Sequence, residues 1–281
     1  MNTNNFYEPH THKDPSFPII FHLDTMQKYQ SNFLPHWHES LEILYILHGT
    51  INVLADAASV TAGKDEIIVI NSNNVHYIQT LAEESQYYCL IIDRNFCEEF
   101  NLDTGEVVFQ RQIQDHELGE KFKLINEEFH LRKSLYKAKI KATAMDLVIS
   151  LYRNYTVTES SLSRQIKNDK IEIIKKAIRY IQSNYTQAIT ITSISAEIGI
   201  SKYYFCRIFK EITGYTTVSF LNIVKCNNAK KLLQSGKYGV EEAALLSGFD
   251  NLSYFSKTYK KHMGNLPSSD LLPSATRGIS D

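Results

Sequence analysis

From Ile19 to Ile92 the apolar residues fall in short runs, LEILYIL, INVLA, EIIVIN and YYCLII, rich in Ile, Val, Leu and Tyr and broken by HGT, TAGKD and NSNN. Many short strands with turn signals at this spacing predict a β-sandwich or barrel. The period then changes. Leu118, Phe122, Ile125 and Phe129 recur at helical spacing, as do Ile140, Ala144, Leu147 and Leu151, which predicts two amphipathic helices joined near Ser134. Such stripes serve either packing within the chain or a seam between two chains. The stretch TVTESSLSRQIKND, residues 156 to 169, is polar and shows no helical stripe, so it reads as a linker. Beyond it everything reads as helix. Ile171, Ile174, Ile178, Ile181 and Tyr185 place five apolar groups on one face of a helix of about four turns, and shorter helical segments follow, separated by glycines.

The second half contains an internal repeat. AEIGISKYYFCRIFKEITG, from Ala196, aligns with ALLSGFDNLSYFSKTYKKHMG, from Ala244, with a small insertion before the first glycine of the second copy. Gly199 meets Gly248, Ser201 meets Asp250 and, one residue out of step, Tyr204 and Phe205 meet Tyr254 and Phe255. Each copy has the grammar of a helix-turn-helix: a short helix with a small Ala, a Gly in the turn, then Ser or Asp as N-cap of a second helix that ends at Gly. Phe205 with Phe209, and Phe255 with Tyr259, are four apart and must point inward. That leaves Lys202, Tyr203, Cys206, Arg207 and Lys210 outside in one copy, and Asn251, Ser253, Ser256, Lys257 and Lys260 in the other. These side chains suit phosphate and base-edge contacts.

Charge sharpens this picture. The net charge of the 281-residue chain is only -1, yet residues 169 to 281 hold 15 Lys and Arg against 9 Asp and Glu, and residues 1 to 168 hold 15 against 22. An acidic half joined to a basic half expects a polyanion on the basic side. With 43% hydrophobic and 22% charged residues the chain reads as folded and water-soluble, which excludes wholesale disorder. The first residues show no secretory signal and no stretch is long enough to span a membrane, so a cytoplasmic protein with no membrane partner is expected. Cys89, Cys97, Cys206 and Cys226 lack CxxC spacing and read as reduced thiols.

GISKYYFCRIFKEITG, FLNIVKCNNAKKLL and GFDNLSYFSKTYKKHMGNLP together closely resemble the DNA-binding domain of the AraC/XylS transcription regulators, over roughly residues 170 to 268. The resemblance implies two helix-turn-helix subdomains bridged by a helix at about Val218 to Leu233, with both recognition helices entering successive major grooves. Two departures stand out: Lys225 where the family usually has Arg, and Asp270-Leu271 where it usually has Tyr-Arg.

The acidic half holds nine of the ten histidines. His36-Trp37-His38-Glu39-Ser40-Leu41-Glu42, then six residues to Gly49, has the spacing of the first cupin motif, and KDEIIVINSNNVHYI resembles the second, with Asn71 in place of its usual Pro. On a continuous strand, 36, 38 and 42 point to one side, so two imidazoles and a carboxylate converge, with His76 as a fourth donor. Such a set suits divalent iron, manganese, zinc or nickel. The sensor domains of this regulator family resemble the cupin barrel, and many bind a small organic effector without metal, so His36, His38, Glu42 and His76 read either as metal ligands or, with Trp37 and Tyr45, as an effector pocket. Tyr77, Tyr87 and Tyr88 are further candidates for its lining, and His10 and His12 read as solvated.

The expectation is thus an α+β chain of two domains, a cupin-like β-barrel with a two-helix segment and an all-α tandem helix-turn-helix domain. Residues 1 to 115 would form the effector-sensing domain with an N-terminal arm, 116 to 155 a helical dimerisation segment, 156 to 168 the linker and 169 to 281 the DNA-binding domain. The function expected is a bacterial-type transcription regulator without a catalytic step. Its partners would be operator DNA, a small-molecule effector (sugars being a frequent class among relatives), RNA polymerase and a second copy of the chain. The rival is a metal-dependent cupin enzyme, an oxygenase or isomerase, which leaves the helix-turn-helix repeat without a purpose.

Overall fold

The computed structural model describes residues 14, 16–28, 34–158 and 161–272, with side chains from 169 onward in the last range. His10 and His12 lie outside these residues. The chain forms two compact units, residues 172–272 in one and most of the preceding described residues in the other. In the first half the elements are β1 (Ile19–Gln27), β2 (Leu41–His48), β3 (Ile51–Ala55), β4 (Ala58–Ala62), β5 (Ile67–Ile70), β6 (His76–Thr80), β7 (Glu84–Ile92), α1 (Arg94–Glu98), β8 (Val108–Phe109), β9 (Gln112–Ile113), α2 (His116–Leu131), α3 (Tyr136–Asn154) and β10 (Thr156–Val157). In the second half come α4 (Ser161–Asn184), α5 (Ile191–Ile198), α6 (Lys202–Thr213), α7 (Thr217–Gln234), α8 (Val240–Leu246) and α9 (Leu252–Met263).

An antiparallel five-stranded sheet runs β1-β7-β2-β5-β9, and a three-stranded sheet runs β4-β3-β6. Side chains of the two sheets meet, as Glu42 of β2 reaches His76 of β6. The run LEILYIL is buried on both faces, which explains why it reads as continuous apolar sequence rather than as an alternation. One face of the large sheet, through Leu41, Ile43, Tyr45, Val69, Leu90 and Ile92, packs on Leu118, Phe122 and Ile125 of α2 and Ile140, Ala144, Leu147 and Leu151 of α3. The two helical stripes are therefore consumed inside the unit. Leu147 and Leu151 are 0% exposed, so the expectation of a dimer seam on these stripes is corrected: the sheet needs a cover, and they supply it.

The linker expected at 156–168 is corrected too. Thr156 and Val157 pair with Phe109 and Val108, and α4 begins at Ser161, ten residues before the isoleucine stripe. Residues 161–170, SLSRQIKNDK, contain neither Gly nor Pro, and Leu, Arg, Gln and Lys are good helix formers, so the missing stripe is no barrier to helix.

Along α4, Ile171, Ile174, Ile178 and Ile181 are buried as their spacing requires, the last three of them within the helical unit. Helices α5 and α6 form the first helix-turn-helix, α7 bridges, and α8 and α9 form the second. Ser201 caps α6 through the Tyr204 N–H, and Asn251, not Asp250, caps α9 through the Tyr254 N–H at 2.8 Å. The extra residue of the second copy thus lies after its turn glycine, and from cap to closing glycine the two recognition helices correspond position for position. The second turn is clamped. Lys225 Nζ donates to the Gly248 carbonyl at 2.6 Å and lies 5.6 Å from the Phe249 ring centroid, while Asn228 donates to Ser247 Oγ at 3.1 Å. Lys225 thereby holds the turn from the bridging helix. Asp270 accepts from the Tyr259 hydroxyl at 2.7 Å and from Asn265, and the Leu272 N–H reaches the Leu233 carbonyl, so the divergent tail packs on α9 and α7.

Candidate metal centre and nucleic-acid interface

His36 reaches the interior of the first unit through a backbone bridge to His76, with N to O distances of 2.9 and 2.8 Å in the two directions. The pleat that would carry one strand from 36 to 42 does not continue. The chain bends at Glu39 and Ser40 and β2 starts only at Leu41, with His38 Nδ1 turned back to the Ser40 carbonyl at 2.9 Å. The convergence survives the bend. Glu42 Oε2 lies 3.0 Å from His38 Nε2 and 3.1 Å from His76 Nε2, and one ligand atom from each of His36, His38, Glu42 and His76 falls within 4.8 Å of all the others. Glu42, His38 and His76 are buried.

Burial opposes ionisation of Glu42, but the hydrogen bonds and charges of His38 and His76 overcome it and hold the carboxyl well below its ordinary range. Burial likewise resists a proton on His76, and the Glu42 carboxylate, aided by the Asn74 carbonyl, raises its pKa nonetheless. The donor set fits a divalent cation. Nδ1 of His38 and of His76 is engaged by the Ser40 and Asn74 carbonyls, which turns each Nε2 toward the centre. Imidazole nitrogens with one carboxylate suit iron, manganese, zinc or nickel. Around this set, Asp56 accepts from Val75 N at 2.9 Å and from the Asn74 side chain, fixing the loop that carries His76, and Cys89 Sγ donates to Glu42 Oε1 at 3.3 Å.

The other expected pocket residues separate by strand parity. Tyr45 lies on the opposite face of β2 from Glu42, stacked on Phe122 at 5.4 Å with its hydroxyl on Asp65, so its place in an effector pocket is corrected. Tyr88 stacks on Phe21 on that same helix-covered face, and Tyr77 alternates with His76 along β6. Trp37 is buried beside the histidines in sequence. Tyr87 does share the face of Cys89, and burial together with the charge of Asp24 pushes its hydroxyl pKa up. Sequence reading missed Cys89, Asp24 and Asp56. The first two follow from the alternation of β1 and β7 once their register is known, whereas Asp56 gives no signal beyond a turn.

In the second unit Lys202, Tyr203, Arg207 and Lys210 are exposed on α6, and Cys206 is half-buried there. On α9 Ser253, Lys257 and Lys260 are exposed, Ser256 is half-buried, and the exposed Asn251 has its side-chain oxygen engaged by the cap. Leu252, 45% exposed, and Tyr254, 50% exposed, are also on the outer surface of α9 and are not among the expected contact residues.

Two repeated helix-turn-helix units, each presenting a cationic helix, joined to a β-domain with a buried polar centre, define a DNA-binding protein with a sensor domain. Comparisons with known proteins agree. A family model described as an AraC-like ligand binding domain matches residues 26–139, and one described as a helix-turn-helix domain matches 194–271. The chain is 23% identical over 254 residues to the HTH-type transcriptional regulator YdiP of Escherichia coli K12, covering 86% of this chain and 81% of YdiP. It is 32% identical over 113 residues to an HTH-type transcriptional regulator in the cgkA 5' region of Pseudoalteromonas carrageenovora, covering 39% of this chain and 67% of that protein. Among solved structures, ToxT of Vibrio cholerae aligns over 90% of this chain and 97% of its own, at 16% identity and a TM-score of 0.48. The chain belongs to the AraC family of DNA-binding transcriptional regulators and carries an N-terminal ligand-binding domain. No described helix is long and apolar enough to cross a membrane.

Proposed function

We propose that the chain is an effector-controlled AraC-type regulator whose sensor holds a divalent metal on His36, His38, Glu42 and His76. The observation that carries this reading is the convergence of four ligand atoms within 4.8 Å around a centre toward which two histidines are oriented by backbone carbonyls. Bound there, the metal would supply open coordination positions for a small effector, and the vicinal hydroxyls of a sugar are one donor pair that suits them. DNA binding is assigned to Lys202, Tyr203, Cys206, Arg207 and Lys210 of the first recognition helix and Asn251, Ser253, Ser256, Lys257 and Lys260 of the second.

The regulator acts as a homodimer that engages RNA polymerase at the promoter. Because the inward stripes of α2 and α3 are consumed, the seam assigned to the dimer is the outward face of α3 and its preceding turn. Leu135 (78% exposed), at the N-cap of α3, and Ala138 and Ala142 on α3 are exposed there, and Leu131 (54% exposed) ends α2 just before the turn. Elemental analysis tests the metal. Full-length protein purified without chelator or affinity tag is expected to carry near-stoichiometric divalent metal that His38→Ala and His76→Ala variants lose while Trp37 fluorescence shows them folded. Protein that takes up none of iron, manganese, nickel or zinc on dialysis would confine these side chains to hydrogen bonding within the sensor.

A further inference from the structure

The two recognition helices share one backbone pattern and differ in what they present. Matched from cap to cap, Lys202 stands opposite Leu252, Tyr203 opposite Ser253, Arg207 opposite Lys257 and Glu211 opposite Lys261. In α6 the Arg207 guanidinium lies 5.4 Å from the Tyr204 ring centroid, and among the described residues no carboxylate pairs with it. The ring limits the freedom of an exposed fork, and an arginine fork matches the O6 and N7 acceptors of guanine. One turn before it, Tyr203 is 83% exposed.

In α9 the counterpart of that brace is used elsewhere. The Tyr254 hydroxyl accepts from Asn222 of α7 at 2.8 Å, and among the described contacts no aromatic ring stands under Lys257. Lysine is a flexible point charge, and the next exposed residues on this helix are Lys260 and Lys261, where α6 has Lys210 followed by the acidic Glu211. Three cations along one helix favour phosphate contact, which positions a protein without reading sequence. The first turn of α9 presents Leu252 at 45% exposure, in the place of Lys202. An apolar group at that position of a recognition helix has one base feature to meet in the major groove, the thymine methyl.

Resting on the assignment of α6 and α9 as the DNA-contacting helices, we infer that the operator is functionally asymmetric: the half-site under α6 is specified by a guanine that Arg207 reads, whereas the half-site under α9 is held through phosphates by Lys257, Lys260 and Lys261, with a thymine preference set by Leu252. The Lys225 clamp ties the turn before α9 to the bridging helix, and Phe209 of α6 packs edge-on against Phe220 of the same helix at 5.3 Å, so both recognition helices are held from α7.

The experiment starts from duplexes selected by the full-length chain out of a random pool. On the best duplex, replacing the guanine read by Arg207 should weaken wild-type binding at least about tenfold, and Arg207→Lys should abolish that discrimination. The position whose discrimination disappears marks the α6 half-site. In the other half-site single base changes should cost less than about threefold, except that thymine to deoxyuridine, which removes only the methyl, should cost roughly threefold in wild type and nothing in Leu252→Ala. Lys260→Ala and Lys261→Ala should each reduce the slope of log affinity against log salt by about one while leaving base preference unchanged. Equal guanine dependence in both half-sites, retention of discrimination in Arg207→Lys, or indifference of wild type to deoxyuridine would overturn the asymmetry. A selection that yields no sequence preference would instead overturn the assignment of the two helices, a separate outcome.

Discussion

Gly199, Gly248 and Gly264 all adopt left-handed backbone, with φ of 80°, 81° and 83°, yet a methyl group added to each meets different surroundings. At Gly199 and Gly264 the new Cβ meets nothing within 4 Å, whereas at Gly248 it would stand 2.7 Å from the Tyr185 carbonyl oxygen and 2.9 Å from Thr186 Cα. Those atoms are backbone just beyond α4, and no rotamer change removes them. Left-handed geometry alone costs an L-residue about 1–2 kcal/mol, and overpacking against fixed atoms adds roughly 1–3 kcal/mol. Gly248→Ala should therefore lose about 2–5 kcal/mol, and Gly199→Ala and Gly264→Ala only about 1–2 kcal/mol. At a urea slope of about 1–3 kcal/mol per molar, the first variant should unfold earlier than the other two by several tenths of a molar or more. The chain has one tryptophan, Trp37, so its fluorescence follows the sensor unit while far-UV circular dichroism follows the helical unit as well. Only the dichroism transition should move. Equal shifts for the three alanine variants would show that the second turn is not seated on Tyr185 and Thr186.

Two further outcomes concern the sensor unit. Leu147→Glu places a carboxylate in the core between sheet and helices and should destabilise the unit by about 4 kcal/mol or more, seen as loss of the Trp37 transition. By contrast Ala138→Glu on the exposed face should lower self-association in sedimentation without a stability loss; a stable Leu147→Glu monomer would reverse this assignment. Asp115 caps α2 and accepts from the Tyr155 hydroxyl at 2.7 Å; burial raises its pKa, but these hydrogen bonds outweigh burial and hold it below its ordinary value. A folded pKa below the unfolded one means stability present above pH 4 or so and lost as pH falls through the folded value. Asp115→Asn, which keeps an acceptor oxygen but cannot titrate, should make acid unfolding below that pH less steep, and an unchanged acid profile would refute the contribution.

The helical unit is legible in the sequence because its signals are local. A cap at Ser201, glycines at the turns and aromatic residues four apart each act within one helical turn, so spacing locates α6 and α9, whereas the bridging helix α7 is reached through the family resemblance. What spacing misplaces there is equally local in origin. An insertion of one residue can sit on either side of a turn glycine, and Asp250 and Asn251 are both good caps; only the hydrogen bond from Tyr254 N decides between them. The start of α4 escapes the pattern because an amphipathic stripe marks where a helix is packed, not where it begins.

The sensor unit depends on pairings between distant residues, and the misreadings of its sequence follow from that. Apolar runs locate the strands of the large sheet, but a run buried on both faces carries no alternation, so nothing in LEILYIL says that Glu42 and Tyr45 look opposite ways except their odd separation. Parity counted from Glu42 is enough, on sequence grounds, to take Tyr45 out of the pocket. The histidine motif is more robust than the strand geometry it suggests. A continuous strand is not needed, since the chain bends after His38 and the donors still converge because His36 is tied by backbone to His76 and His38 by its ring to Ser40. Convergence enforced by three separate elements is harder to lose than convergence along one strand, since a slip of β2 alone would leave the His36 to His76 bridge in place. That redundancy matters in a buried site, where Glu42 is the one carboxylate hydrogen-bonded to both His38 and His76, so that losing either histidine leaves the buried carboxylate without one of its partners.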